Sequence, residues 1–294
     1  MMEHTGTAVA LGLFDGVHLG HRAVLQKACE QQENGLIPSV FTFSPESAVY
    51  KPDSSSGYIY GTEAKTRLIC ECGILHTRIE SFAAVKDFSG GEFVREVLKN
   101  GMNASFVCCG KDFRFGKGAS CGVDELRDFG RCYGFEVTVV EDVVSAEGIV
   151  SSSAIRRLLS EGSIVRANEL LGRAYSVYGT VVDGNHIGRT IDFPTVNQLF
   201  GEGQLVPAYG VYSGSVSIDG KSYRTVTNIG VKPTIEGERR PLAETHILGY
   251  SGDLYGRELE VRLEAFLRAE RKFASLDELR TQIAEDVKIA SADI

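Results

Sequence analysis

The sequence predicts two domains: an α/β domain on a parallel sheet, then an antiparallel β-barrel closed by a C-terminal helix. Three observations predict it. The first half alternates short apolar runs with amphipathic helical patterns, as strands and helices do in βαβ units. The second half alternates apolar and polar residues along longer segments joined by tight turns, the pattern of antiparallel strands with one buried face. All seven cysteines lie in the first half, and 294 residues exceed one typical domain.

The elements follow in order. "TAVALGLF" (7–14), "IPSVFTF" (37–43) and "NASFVCCG" (103–110) read as buried strands. "HRAVLQKACEQQE" (21–33) and "GEFVREVLKN" (91–100) read as helices between them. "KPDSSSGYIYG" (51–61) has the composition of a mobile loop. Two short helices come next, "SSSAIRRLLSEG" (151–162) and "SIVRANELLG" (163–172), each with serine at its start and glycine at its end. They connect a first domain at 1–170 to a second at 171–294. In the second, "GVYSGSVSIDGKSYRTVTNIG" (210–230) predicts a hairpin turning at Asp219-Gly220. Leu259, Val261 and Leu263 alternate with charges, as in a strand. Ser275 and Glu278 form a capping box for a last helix whose apolar stripe is Leu276, Leu279, Ile283 and Val287.

Composition excludes several functions. A net charge of −8 disfavours a broad surface for nucleic-acid phosphates, although a local basic pocket remains open. No apolar run approaches the roughly 20 residues of a membrane span. The N-terminus lacks a basic region and cleavage site, and the odd number of cysteines includes no C-x-x-C pair. Reduced thiols in a cytoplasmic protein are expected. Small molecules are the expected partners, and the oligomeric state is left open, a homo-oligomer included.

"GLFDGVHLGH" (12–21) carries the first chemistry. A strand ending here and turning into a helix near His18 presents backbone N–H groups to an anion. His18 and His21 then share one helix face, with Gly20 leaving space for a phosphate. Two imidazoles suit hydrogen bonding to charge that develops at a nucleotide α-phosphate. No Glu or third His follows at metal-ligand spacing. The alternative is a pair of histidines on a half-exposed turn.

This stretch resembles the H-x-G-H signature of the nucleotidylyltransferase superfamily. "VSSSAIR" (150–156) stands where the superfamily has I-S-S-T-x-x-R, with Ser153 at the threonine position. "CGKDFRFGKGASCG" (109–122) and "GRTIDFPTVN" (188–197) resemble motifs of bacterial bifunctional riboflavin kinase/FAD synthetases. "VPAYGVYSG", "NIGVKPT", "ETHILGYSGDLYG" and "LRAERKF" follow in that family's order, so the resemblance spans nearly the whole chain.

The resemblance implies a Rossmann-like nucleotidylyltransferase domain that adenylylates FMN to FAD, releasing pyrophosphate, and a barrel that phosphorylates riboflavin to FMN. It implies ATP contacts at Gly12, Phe14, Gly20, Ser152, Ser153 and Arg156, with His18 and His21 catalytic. Asp112 and Phe113 would contact flavin there, although Phe113 and Phe115 could equally fill a core. In the barrel, Gly188, Arg189, Thr195 and Asn197 would bind ATP. Thr195 and Asn197 would also hold Mg²⁺, and alternation puts them on one face of an extended segment. Glu244 would accept the proton of the riboflavin 5′-hydroxyl; without the motif it reads as a solvated loop glutamate. Arg268 would lie near the flavin, or be a surface charge.

Three positions depart from the family. "TFSPES" (42–47) places Glu46 and Ser47 where the family commonly has His and Pro, and Asp192 replaces a glycine before Phe193. A carboxylate beside polyphosphate repels it unless turned away or bridged by Mg²⁺. Two alternatives therefore stand beside the bifunctional enzyme: a chain active only as a kinase, and a flavin-binding regulator without catalysis.

Overall fold

The computed structural model describes residues 6–47, 57–183, 193–233 and 239–292. Contacts divide the chain into two compact units, Met1–Ser152 and Ser153–Ile294.

The first unit is built from β1 (Thr7–Leu11), α1 (Leu19–Glu30), β2 (Ile37–Phe43), α2 (Thr62–Glu71), β3 (His76–Glu80), a short α3 (Phe82–Val85), α4 (Gly90–Glu92), β4 (Ala104–Gly110), α5 (Val123–Tyr133) and β5 (Glu136–Val140). α4 continues as a π-helical stretch, Phe93–Gly101, whose Phe93, Val94, Val97 and Leu98 enter the core with Val9, Leu11 and Phe41. The sheet runs β3-β2-β1-β4-β5, all parallel. Every residue of β1 is buried, so its apolar run is continuous rather than alternating. Sheet growth reverses at β1, with β2 on one side and β4 on the other. Ligands of such sheets bind outside the carboxyl ends of the strands at that reversal. A small hairpin, β6 (Val144–Ser145) and β7 (Gly148–Ile149), follows β5.

The expected loop at 51–61 is described only from Gly57, and residues 48–56 lie outside the described residues. Gly57–Tyr60 is buried rather than loop-like, because Tyr58, Ile59 and Tyr60 carry the apolar surface of the segment inward.

The segment 153–170 is helical, with α6 (Ser152–Ser160) and α7 (Ile164–Leu171). α7 packs on β8 (Tyr175–Thr180) and on β13 (Glu258–Ala269). Asn168 fastens it there: its Nδ2 donates to Leu263 O and its Oδ1 accepts from Tyr175 N. The sheet of this unit also contains β9 (Thr195–Leu199), β10 (Gly210–Ile218), β11 (Lys221–Pro233), β12 (Arg239–Ile247) and β13 (Glu258–Ala269). It is antiparallel in the order β8-β13-β10-β11-β12-β9. The predicted β10–β11 turn has Asp219 at φ 51° and Gly220 at φ 79°, as a two-residue hairpin turn requires.

The sheet curls until its edges approach. Val182 N donates to Asn197 O at 2.8 Å across the seam. Gln198, fully buried, donates from Nε2 to Gly179 O and Leu259 O, both at 2.9 Å. Leucine would fill the space but remove both bonds. Gln198→Leu is expected to cost about 2 kcal/mol, read as a lower midpoint for the barrel in urea.

α8 (Leu276–Ala292) lies along β10 and β11. Its start is capped by Ser275 Oγ, which accepts from Glu278 N, while the Glu278 carboxylate reaches back to Ala274 N. The expected stripe needs correction at both ends. Leu276 is 58% exposed, whereas Asp286 and Ala290 are buried. Asp286 is held on the inward face by its ion pair with Arg268.

Candidate active sites

The first site sits at the sheet reversal. His18 is the N-cap of α1, and its Nδ1 accepts from His21 N at 3.3 Å. In the neutral ring the proton is thus on Nε2. The two imidazoles stack, with centroids 3.6 Å apart and planes at 17°. Gly20 gives the stack room: a Cβ there would lie 3.2 Å from His18 Cε1, a tight contact. Phe14 is fully buried, meeting His21 edge-on at 5.3 Å, so it supports that ring. Gly12 makes room for Phe14, whose ring lies 3.1 Å from where a Cβ would stand. Ser152 Oγ donates to Asp15 O at 2.8 Å, tying the serine motif to the first loop. Ser153 is exposed and Arg156 half-buried on α6, which contacts group with the second unit.

The carboxylate of Glu46 is engaged by α2. Thr62 donates to it twice at the start of α2, from N at 2.9 Å to Oε1 and from Oγ1 to Oε2 at 2.6 Å. Burial alone would raise its carboxyl, but the bonds from Thr62, with a backbone bond and the nearby Lys65 charge, together hold it below the usual range. The carboxylate is therefore turned to a helix N-terminus. Because its folded-state pKa is lowered, its stabilisation is present above the ordinary carboxyl range and lost as pH falls through the lowered value. Glu46→Ala is expected to cost about 1 kcal/mol at neutral pH, with the difference from the parent chain shrinking on acidification. Urea titrations at two pH values measure this.

The second motif follows β4, the other strand of the reversal. Asp112 is exposed there, with Oδ1 3.1 Å from the Cβ position of Gly110. Phe113 and Phe115 stack on each other at 5.8 Å. Phe115 is a core residue, and Phe113 is half-buried on it. The two aromatic expectations thus separate: only Phe113 keeps surface for a ligand.

In the barrel, Glu244 lies on strand β12 rather than in a loop, directly opposite Asn197 of β9 and Asn228 of β11. Opposed residues of antiparallel strands share a face, with Cα atoms about 4.5–5.5 Å apart. Asn197 is 6% exposed, and its Oδ1 has no hydrogen-bond partner among the described residues. Thr195 opposes His246, whose Nδ1 lies 2.9 Å from Pro194 O. That contact fixes the ring as the donor and anchors the start of "PTVN". Thr195 also borders a cavity of about 470 Å³ that includes Val196, Thr245, Tyr250 and Tyr255. Gly188, Arg189 and the departure Asp192 lie outside the described residues.

Arg268 is not a free surface charge: it is ion-paired to Asp286. It donates from Nε to both oxygens of Asp286 at 3.1 Å and from Nη2 to Oδ2 at 2.7 Å.

The sequence reading passed over Lys65, Thr42 and Asn228. Lys65 had a signal: a charge at helical spacing from Leu68 and Ile69, inside the apolar face of α2.

Comparison with known proteins agrees with both halves. The FAD synthetase family model matches residues 1–154, and the riboflavin kinase model matches 171–294. The bifunctional riboflavin kinase/FMN adenylyltransferase of Escherichia coli K12 is 36% identical over 96% of this chain and 90% of its own. That of Pseudomonas fluorescens is 35% identical over 99% and 94%. A crystal structure of a macrolide-efflux protein from Streptococcus pneumoniae is similar over 97% of this chain and 94% of that one, with TM-score 0.82 and 28% identity. No helix among the described residues is long and apolar enough to cross a membrane. With two matching domain models and near full-length relatives, the chain belongs to the bifunctional riboflavin kinase/FMN adenylyltransferase family.

Proposed function

We propose that this chain makes FAD from riboflavin in two ATP-dependent steps, as a cytoplasmic enzyme acting on small molecules. In the barrel, the riboflavin 5′-hydroxyl oxygen attacks the γ-phosphorus of ATP. Glu244 takes the hydroxyl proton, and ADP leaves with the electrons of the broken P–O bond. Asn197, opposite Glu244, and Thr195 hold the nucleotide end. Their neutral oxygens fit Mg²⁺, and the buried, unpartnered Asn197 Oδ1 is the observation behind that assignment. Bound there, Mg²⁺ would neutralise phosphate charge. The cavity beside Thr195 suits the flat base of ATP. Gly188 and Arg189 are assigned to its phosphates on the motif alone.

In the first unit, a phosphate oxygen of FMN attacks the α-phosphorus of ATP and pyrophosphate leaves. His18 and His21 donate hydrogen bonds to the charge that builds on the transferring group. Gly20 keeps their stack intact, Ser152 braces the loop, and Ser153 and Arg156 meet phosphate by resemblance. Asp112 and Phe113 take the flavin, with the half-buried Phe113 ring as the stacking surface.

The observation that carries the reading is the stacked histidine pair at the sheet reversal, since a kinase alone has no use for it. The bonds from Thr62 to Glu46 weigh against a kinase-only reading. The test is product analysis by chromatography with Mg-ATP and either riboflavin or FMN. FAD and pyrophosphate from FMN are expected. FMN accumulating from riboflavin without FAD would leave only the kinase.

A further inference from the structure

Lys65 is the least exposed charged side chain among the described residues, at 1%, and neither proposed reaction uses it. Its ammonium has three N–H donors, and each has an acceptor: Leu13 O at 3.0 Å, Thr42 Oγ1 at 2.9 Å and Phe43 O at 2.6 Å. Thr42 Oγ1 in turn donates to Leu13 O at 3.0 Å. Lys65 thus joins the carboxyl ends of β1 and β2 at the sheet reversal.

We infer that Lys65 is a positioning residue for adenylyl transfer, its buried ammonium clamping the strained loop that delivers His18 and His21. The inference rests on the adenylyl-transfer reading of the first unit. The loop needs a clamp because Phe14, Gly16 and Val17 have φ of 49°, 84° and 43°. Left-handed backbone is unfavourable at a non-glycine residue, and a β-branched one is an outlier. Phe14 and Val17 are also fully buried, so the loop relaxes only by moving the histidines. Three groups prevent that: Lys65 at Leu13 O, Ile59 N at Asp15 Oδ1 (2.8 Å), and Ser152 Oγ at Asp15 O.

A neutral side chain of equal length would fill the space without desolvating a charge, which is often the more stable choice. The charge is kept at a cost. Burial pushes the Lys65 ammonium down to about 8, with Asp15 and Glu46, the acidic groups facing it, acting in the opposite sense. Above that pH the neutral amine has two N–H donors for three acceptors.

The test uses the full chain. In Lys65→Met, kcat for FAD formation from FMN is expected to fall about 100-fold, as for an ångström-scale misplacement. Riboflavin phosphorylation by the same preparation stays unchanged, which checks that the other unit is folded. The parent chain should lose FAD-forming kcat above about pH 8, without a matching loss in the kinase reaction. Thr42→Val removes one acceptor from the charged form and should move that alkaline limb to lower pH. A purely structural lysine would not move it. Full kcat in Lys65→Met, or a limb that stays put in Thr42→Val, overturns the inference. If Lys65→Met does not fold, the limb decides. A parent chain that makes no FAD from FMN at any pH overturns the adenylyl-transfer reading, and this inference with it.

Discussion

Glu244→Gln should lower kcat for riboflavin phosphorylation by about 10²–10⁴-fold, while FAD formation from added FMN continues at the parent rate. The amide keeps the size and hydrogen-bonding shape of the carboxylate but cannot take a proton at neutral pH. The strand pairing sharpens this expectation. Glu244 is fixed between Asn197 and Asn228 by backbone register on both sides, so the substitution leaves its position unchanged. KM for riboflavin should therefore move far less than kcat. Steady-state rates with each substrate measure both. An unchanged kinase kcat would remove Glu244 from the reaction.

The second large effect concerns the histidine stack. His21→Ala removes one donor and exposes the face of His18 that it covers, and FAD formation should fall about 10²–10³-fold. The kinase reaction should be unaffected. His18 has an additional duty, since its Nδ1 caps α1. Alanine there would lose about 1 kcal/mol of capping as well as the imidazole. His18→Asn keeps a capping oxygen, so any loss of turnover in a chain of unchanged melting behaviour belongs to the chemistry. Both variants are assayed by FAD and pyrophosphate release.

Much of this was legible in the sequence, for reasons that differ by element. β1 and the His18–His21 turn could be read because strand, loop and helix are contiguous, and helical spacing brings the two rings together without tertiary information. The Asp219-Gly220 turn was equally local. Glu244 was not legible as a strand residue. Its flanks are charged and polar, and its order comes from β9 and β11, which lie far off in sequence. The ion pair of Arg268 was hidden in the same way, because its partner Asp286 sits on a different element and reads alone as a surface charge. The same pair hid the true face of α8, since an inward aspartate breaks an apolar stripe. Lys65 shows the limit from the other side: a lone charge on an apolar helix face is usually taken as the edge of that face, and only its three acceptors mark it as buried.

The placement of β1 has a consequence for synthesis. Its partner across the reversal, β4, pairs Thr7 with Ala104, nearly a hundred residues downstream. A ribosome adds roughly 5–20 residues per second, so this strand, buried throughout in the fold, waits several seconds with one edge uncovered. The central ribbon of the barrel, β10 to β12, is consecutive in the chain and meets no such delay. Nascent chains arrested before β4 emerges should therefore be the aggregation-prone and chaperone-dependent ones. Chains stopped beyond β5 should already carry a closed first sheet.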